Sequence, residues 1–127
     1  MNSILLSIHP KYVENILSGA KKFEYRKRLA SNNIEYIYIY STSPVMKVVA
    51  RVKVTDVLQA SPTALWEKTK TASGISLQAY SEYFEGCKSA YAYELGDIQV
   101  YETPKYLHDF GVNTAPQSFV YIDGDTM

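Results

Sequence analysis

The sequence predicts an α+β fold, a small, partly closed mixed β-barrel of about six strands with short helices inserted between them. Several short segments alternate apolar with polar residues, as strands with one buried face do. Between them, apolar residues recur at helical spacing, begin after His-Pro or Ser-Pro pairs and stop at glycines. These two patterns alternate along the chain, which favours a mixed architecture over a helical bundle or an all-β sandwich.

The first half of the chain contains four predicted strands and one predicted helix. Residues 3–8 are a compact apolar run of strand length, and Pro10 follows as a favourable first residue of a helix. Gly19 ends that helix, whose apolar face consists of Tyr12, Val13, Ile16 and Leu17. The other three strands are predicted over residues 22–28, 35–40 and 47–58.

The second half begins with two helices. Ser61-Pro62 and Ser76 are predicted to cap helices over residues 64–70 and 77–85. A strand follows, and Gly96 permits either a turn or a bulge after it. The remaining elements are, in order, strands over 89–95 and 98–101, a short helix over 104–110 and a final strand over 119–122.

The composition indicates a protein without disulfide bonds or bound metal ions. The 127 residues suffice for one domain, 1–127, with a core over about residues 4–122. Cys87 is the only cysteine and there are two histidines, so we expect no disulfide, no metal and no cofactor. No apolar run approaches membrane-spanning length, so we expect a soluble, cytoplasmic protein with no membrane partner. The sequence leaves the oligomeric state open.

Charge is unevenly distributed along the chain. The formal net charge of zero argues against a protein that grips a long duplex by charge alone. However, residues 1–60 carry nine Lys/Arg and four Asp/Glu, whereas residues 61–127 carry four and nine. Six basic residues lie between Lys11 and Arg28, enough for a basic patch if the fold gathers them on one side. The outer face of the long fourth strand is predicted to carry Lys47, Arg51 and Lys53.

The stretch richest in chemistry is residues 19–26, at the predicted junction of the first helix and the second strand. Because strand side chains alternate, Glu24 and Arg26 are predicted side by side on one face. Lys21 lies at the turn, close to both. One carboxylate flanked by cations could hold a polar ligand, orient a proton donor or form a solvated ion-pair cluster.

This stretch resembles the G-x-K-x-x-E-x-R signature of the ASCH domain family, which it matches at Gly19, Lys21, Glu24 and Arg26. The surrounding sequence resembles one subgroup, the small stand-alone ASCH proteins, over residues 5–12, 38–44, 73–76 and 116–119. The resemblance extends over residues 4–122. It implies a barrel similar to the PUA domains of RNA-modifying enzymes.

The resemblance implies binding of RNA, a nucleotide or a nucleoside in a cleft beside the signature, with a regulatory role. The alternative is hydrolysis, because family branches resemble N4-acetylcytidine amidohydrolases and ribonucleases. In the amidohydrolase branch a threonine nucleophile matches Glu24, assisted by the residue that matches Lys21. The carboxylate found here is a poorer nucleophile toward an amide than an activated hydroxyl. Whether the chain is an enzyme stays open, with Lys21 and Glu24 as catalytic candidates.

In such a cleft, Lys21 and Arg26 would contact a phosphate or a base carbonyl, and Glu24 would orient them or accept a bond from a base amino group. A structural ion pair that fixes the turn is the alternative. For Ser41 and Ser43 the alternative is turn capping, and the loop of Gln117 and Ser118 could either close the cleft wall or simply end the barrel. The candidate RNA-binding residues are Lys11, Lys21, Glu24, Arg26, Arg28, Tyr40, Ser41, Ser43, Gln117 and Ser118.

Aromatic and histidine side chains give two further hypotheses. Tyr36, Tyr38 and Tyr40 share one face of the third strand, where they could stack unpaired bases or pack beneath a helix. Tyr40 is followed by a hydroxyl-rich loop, so we expect it to reach the cleft. His9 could act as a general base near neutral pH or serve as a turn residue.

Overall fold

The structure is a computed structural model that describes residues 2–30 and 33–123. Within those ranges it contains six strands, three α-helices and two 3₁₀ helices. In chain order these are β1 (Asn2–Ile8), α1 (Pro10–Leu17), β2 (Phe23–Arg26), β3 (Ile34–Ser41), β4 (Lys47–Ala60), α2 (Pro62–Thr69), a first 3₁₀ helix (Lys70–Ala72), α3 (Leu77–Tyr83), β5 (Ala90–Lys105), a second 3₁₀ helix (Leu107–Phe110) and β6 (Phe119–Ile122).

The six strands form one mixed sheet in the order β2-β5-β4-β3-β1-β6. β1 and β3 are parallel, and every other neighbouring pair is antiparallel. The predicted α+β class, strand number and inserted short helices are therefore confirmed. The expected barrel closure is not made by backbone pairing, because β2 and β6 are both edge strands. Side chains connect the two ends instead: Arg26 Nη2 donates to the Ser7 carbonyl at 3.2 Å, and the Tyr121 hydroxyl donates to the Ala30 carbonyl.

Alternation along the strands sorts apolar side chains into separate clusters. The largest lies between α1 and one face of the sheet, and includes Ile4, Leu6, Ile8, Val13, Ile16, Ile37 and Ile39. A second, beneath α2 and α3, contains Tyr25, Leu65, Tyr80 and Phe84. On the opposite face of the sheet, a third contains Leu5, Tyr38, Tyr40, Val48 and Phe110. Each fully buried large side chain stabilises the fold by about 1.5–3 kcal/mol.

The helix starts follow from their caps. Ser61 and Ser76 accept bonds from the backbone N–H groups of Ala64 and Ala79, as predicted. At the start of α1 the cap is His9, whose Nδ1 accepts a bond from the backbone N–H of Lys11 at 3.1 Å. His9 therefore has a structural role at the turn.

The predicted elements after residue 95 agree with the structure only in part. At Gly96, where the sequence permits a turn or a bulge, β5 continues with a bulge-type register shift, since Val52 pairs with Ile98 but Val54 pairs with Leu95. An added Cβ at Gly96 would lie 2.5 Å from Cγ2 of the Thr55 side chain, so a larger residue there would displace that side chain. The predicted helix over residues 104–110 was wrong in its first part. Pro104 and Lys105 still belong to β5, whose end tolerates a missing N–H, and only the last four residues form a 3₁₀ helix.

A buried pair of hydroxyls connects β2 to α2. The Tyr25 hydroxyl oxygen lies 2.6 Å from Thr69 Oγ1, and Thr69 Oγ1 donates to the Leu65 carbonyl at 2.8 Å. Because the threonine proton is used in that second bond, the Tyr25 hydroxyl is the donor of the first. Thr69 is fully buried, so no water can replace it.

Replacing this hydroxyl tests its contribution to stability. We expect Thr69→Val to lower the free energy of unfolding by about 1–3 kcal/mol, because it leaves the Tyr25 hydroxyl buried without an acceptor. Thr69→Ser keeps the oxygen atom and removes only a methyl group, so it should lower the free energy of unfolding by about 0.8 kcal/mol, the contribution of one buried methyl group. Urea unfolding measures both; equal losses would contradict the assigned role of the hydroxyl.

Candidate functional site

A cavity of about 170 Å³ lies where the end of β1, the start of α1 and strand β2 meet the segment that contains α3. We call it the motif cavity, because three residues of the signature line it. Its lining residues are Ser7, Ile8, His9, Tyr12, Lys21, Glu24, Tyr25, Arg26, Ile75 and Tyr83. Segments far apart in sequence therefore form one site.

Lys21 is the most unusual side chain of the motif cavity, since it is a lysine with only 4% of its surface exposed. Its Nζ donates to the Ser73 carbonyl at 3.0 Å and lies 4.7 Å from the ring centroid of Tyr25 and 5.5 Å from that of Tyr12. Burial lowers the pKa of Lys21, and the Arg26 charge adds to this effect, whereas the Glu24 carboxylate opposes it. Its ammonium group therefore releases a proton more readily than that of a surface lysine.

The backbone holds Lys21 between α1 and residues 72–75. The Lys21 N–H donates to the Asn15 carbonyl at 2.8 Å, and Asn15 Nδ2 donates to the Gly74 carbonyl at 3.0 Å. The next N–H, that of Lys22, donates to the Ala72 carbonyl at 2.8 Å. Hydrogen bonds with two segments, α1 and residues 72–75, thus fix the lysine before any ligand is bound.

Glu24 and Arg26 form an ion pair in the wall of the motif cavity. Glu24 Oε2 accepts bonds from Arg26 Nε at 3.0 Å and Nη2 at 2.7 Å. Their side chains are 8% and 14% exposed, so both charges are largely desolvated and depend on each other. Their position on one face of β2 agrees with the predicted alternation. Because Arg26 Nη2 also reaches the Ser7 carbonyl, the pair connects β2 to β1.

Several lining residues were not assigned from the sequence. Tyr12 was placed on an apolar helix face, and Ile75 and Tyr83 belong to a region that carried no site prediction. They could not be found without the fold, because no short motif connects them to the signature. Burial raises the pKa of Tyr25 and Tyr83, so both hydroxyls stay protonated at neutral pH.

The other basic candidates lie outside the motif cavity. Lys11 is exposed, with its Nζ 5.9 Å from the ring centroid of Tyr12, which places it at the rim. Arg28 is exposed in the bend that follows β2. Neither residue lines the wall, so any contact with a ligand would be made outside the cavity.

The candidates from the two loops are also outside the motif cavity. Tyr40 does not reach it, because its ring packs in the third apolar cluster, and Ser41 is buried at the end of β3. Ser43 is exposed. Gln117 and Ser118 line a different cavity of about 610 Å³, although the Ser118 carbonyl accepts a bond from the Ser7 N–H at 3.1 Å. The loop therefore supports the cavity wall from behind.

The part of the chain that the structure describes contains neither a cluster of metal-ligating side chains nor a membrane-spanning helix. No three His, Cys, Asp or Glu side chains there are grouped closely enough to hold a metal ion. None of the described helices is long and apolar enough to cross a membrane; the longest α-helices have eight residues.

Comparison with known proteins identifies the family. The family model of the ASCH domain matches residues 6–103, which include the whole motif. The chain belongs to the ASCH domain family. The crystal structure of ASCH from Zymomonas mobilis has a TM-score of 0.88 and 27% identity, and covers 98% of this ASCH chain and 90% of that one.

Two curated relatives are similar over large parts of this ASCH chain. The ASCH domain-containing ribonuclease of Zymomonas mobilis is 32% identical over 96 residues, which are 75% of this chain and 65% of the relative. ATP synthase subunit alpha of Ureaplasma parvum is 31% identical over 121 residues, 94% of this chain. The chain spans 15% of the length of that second protein.

Gly74 allows this ASCH chain to bury Lys21. Its φ is +62°, in the left-handed region, and a Cβ added there would lie 2.2 Å from Lys21 Cβ. Glycine is therefore required for two independent reasons, backbone conformation and space.

Alanine substitution separates these two reasons. Gly86 also has a positive φ, +80°, but an added Cβ would meet nothing within 4 Å. We expect Gly86→Ala to cost about 1–2 kcal/mol of unfolding free energy from strain alone, and Gly74→Ala to cost more, because Lys21 must move. Denaturant unfolding measures both, and equal costs would show that the close approach to Lys21 is unimportant.

Proposed function

We propose that this ASCH domain binds RNA, a nucleotide or a nucleoside, with a base or phosphate held in the motif cavity. The observation that carries the proposal is the meeting of the buried Lys21 ammonium, the Glu24–Arg26 pair and tyrosine rings around one small space. The relative named as a ribonuclease supports an RNA-related role. We also propose that residues 1–127 form one domain that acts in the cytoplasm, with a regulatory role.

The size of the motif cavity suits a single ring. A protein cavity of about 150 Å³ accommodates benzene, so the 170 Å³ here has room for one six-membered ring rather than a stacked pair. A base in a duplex is paired and stacked and could not enter. The proposal is therefore a single-stranded RNA, or a free nucleotide, whose unstacked base enters the cavity.

The lining groups match the edges of a base or a phosphate. Lys21 can donate to a carbonyl or phosphate oxygen, and Arg26 can donate through Nη1, which neither of its two described contacts uses. Glu24 can accept from an exocyclic amino group. The rings of Tyr12 and Tyr83 provide surfaces for stacking.

The exposed candidates would contact neighbouring nucleotides. Lys11 lies at the rim, and Arg28, Ser43, Gln117 and Ser118 are all exposed to solvent. We propose that they contribute sequence-independent contacts to the backbone of the strand. A local site of this kind is consistent with the zero net charge.

Two variants remove charges of the cavity: Lys21→Met leaves the Glu24–Arg26 ion pair intact, and Glu24→Gln/Arg26→Gln removes both members of that pair together. Lys21→Met and the double variant Glu24→Gln/Arg26→Gln should each weaken binding of a fluorescent six-nucleotide single-stranded RNA at least tenfold, because hydrogen bonds to charged groups contribute about 1.5–3 kcal/mol each. Fluorescence anisotropy at two salt concentrations measures the affinity, and circular dichroism checks the fold. The control Lys68→Gln/Lys88→Gln removes two exposed charges elsewhere and should change little. Unchanged affinity in both cavity variants would refute the proposal.

Hydrolysis of RNA is the second candidate function, favoured by the lowered pKa of Lys21 and by the ribonuclease relative. In the simplest reaction the ribose 2′-oxygen attacks the adjacent phosphorus, and the 5′-oxygen leaves. The products are a 2′,3′-cyclic phosphate and a 5′-hydroxyl. A base must take the 2′ proton, and an acid must protonate the leaving oxygen.

The side chains of the motif cavity would divide these roles. A neutral Lys21 could accept the 2′ proton, whereas a charged one could only stabilise the phosphorane. Because His9 Nδ1 accepts a bond from the Lys11 N–H, the proton of the neutral imidazole is on Nε2, where it can donate to a phosphate oxygen. Glu24 is engaged by Arg26, which makes this carboxylate a poor nucleophile toward an acetyl group.

Two substitutions at Lys21 test hydrolysis. If Lys21 is the base, Lys21→Met and Lys21→Arg should both slow cleavage of a 5′-labelled RNA at least 100-fold, and the wild-type rate should rise with pH as the lysine loses its proton. If Lys21 only supplies charge, Lys21→Arg should keep part of the activity. Gel analysis of the products measures the rate. Cleavage that persists in Lys21→Met, or is absent in the wild type, would exclude this candidate.

A further inference from the structure

We infer that a second surface, on the outer face of β3, β4 and β5, binds the backbone and bases of a single-stranded RNA. This inference takes its ligand class from the proposed function but uses none of the residues of the motif cavity. We call the surface the outer strip and define it by Tyr36, Arg51, Lys53, Tyr101 and Lys105.

Strand pairing places two cations of β4 and one of β5 on this surface. Arg51 and Lys53 pair with Tyr38 and Tyr36, and Lys105 pairs with Val48, which packs with Tyr38 in the third apolar cluster. Arg51 and Lys105 are half-buried and Lys53 is exposed. The predicted outer face is therefore confirmed for Arg51 and Lys53, whereas the register shift between Val48 and Ala50 puts Lys47, which pairs with Ser41, on the other face. At about 3.3 Å per residue, Lys53 and the pair of Val48 with Lys105 are about 16 Å apart along β4, a length sufficient for several nucleotides.

Two of the three cations of the outer strip lie over aromatic rings. The Arg51 guanidinium carbon lies 4.3 Å from the ring centroid of Tyr36 on the neighbouring strand β3. Lys105 Nζ lies 5.3 Å from the centroid of Tyr101. Rings and cations are thus combined across three strands. Sequence-tolerant single-strand binding uses this combination, with rings to stack bases and cations to neutralise phosphates.

A recess within the outer strip offers a place for a base. Its volume is about 320 Å³, and it is lined by Tyr36, Arg51, Lys53, Asp97, Ile98 and Gln99. Arg51 Nη2 donates to Gln99 Oε1 at 2.9 Å, which holds the guanidinium over the Tyr36 ring. A base stacked on this ring or guanidinium would have amide and carboxylate groups at its edge. Asp97 is the one acidic residue that lines the recess.

The remainder of this sheet face is already covered. Phe110 of the second 3₁₀ helix packs against Tyr38, with ring centroids 5.3 Å apart, and buries the β3 side of the face. Tyr36 and Tyr101 lie at the edge of that cluster and are only partly buried. The outer strip thus begins where the apolar cover ends.

The outer strip ends close to the motif cavity at one end of the sheet. Lys105 of the strip pairs with Val48, and the residue next to Val48, Lys47, pairs with Ser41. Ser41 in turn pairs with Ile8, which lines the motif cavity. An RNA strand with one base in the cavity could therefore continue around this end and along β4. A polyanion with planar groups suits three cations and two rings better than an acidic peptide, which offers no bases to stack.

Paired measurements on a short and a long ligand test this inference. The probes are cytidine 5′-monophosphate and a fluorescein-labelled 12-nucleotide mixed-sequence RNA. Arg51→Gln/Lys53→Gln should leave the affinity for the nucleotide unchanged and reduce the salt dependence of 12-nucleotide binding, log K against log salt, by about 1.4, since each single-strand phosphate contact contributes about 0.7. Lys105→Gln alone should reduce this dependence by about 0.7, and it provides a second variant if the first perturbs the fold. The control is again Lys68→Gln/Lys88→Gln.

Each outcome decides a different statement. If both strip variants bind the 12-nucleotide RNA like the wild type, or lose no more affinity than the control variant, the outer strip does not bind RNA. This conclusion holds even if Lys21→Met abolishes nucleotide binding. If the strip variants lose affinity for both ligands equally, they act through the motif cavity, and the inference fails. If the 12-nucleotide RNA depends on the strip and the nucleotide never binds, the strip is supported and the cavity proposal fails. A wild-type protein that binds neither probe refutes both.

Discussion

The burial of the Lys21 ammonium is the constraint on which the rest of the motif cavity depends. A charge taken out of water must be compensated, and here the compensation extends through successive partners. Lys21 uses the Ser73 carbonyl, two tyrosine rings and the Glu24 carboxylate. Glu24 is itself buried and requires Arg26, whose guanidinium ends on the Ser7 carbonyl. Loop 72–75, β2 and β1 are thereby tied together by polar groups.

These successive contacts connect β2 to β1, two strands that are not joined by backbone hydrogen bonds. β2 is an edge strand, and its Arg26 reaches β1 without any strand pairing between the two. The sequence offered two interpretations of Glu24 and Arg26, a structural ion pair or a ligand site, and the structure makes them compatible. The same bonds that hold the two ends of the sheet also fix the charges that line the cavity. A ligand would therefore meet groups that are already positioned.

Local rules predicted most of the fold. Alternation located the strands and put Glu24 beside Arg26, and serine caps located two helices. What the sequence could not provide were contacts between distant segments. The apposition of Ser73 and Gly74 to Lys21 spans about fifty residues and leaves no local pattern. The expectation that Tyr40 reaches the cleft was wrong for the same reason. Alternation identifies the strand face on which Tyr40 lies, but not that the second 3₁₀ helix, with Phe110, covers that face.

The position of β1 between β3 and β6 has a consequence for biosynthesis. Strand β1 acquires its second neighbour, β6, only when residues 119–122 have been synthesised. The hydrogen bond from the Ser7 hydroxyl to the Pro116 carbonyl also forms late, because its acceptor lies 109 residues further along the chain. Contacts of such large sequence separation form slowly, because a long loop must close before they are gained. One wall of the cavity is therefore completed only after residues 116–122 have been synthesised, so a shorter nascent chain cannot bind ligand in the final form of the cavity.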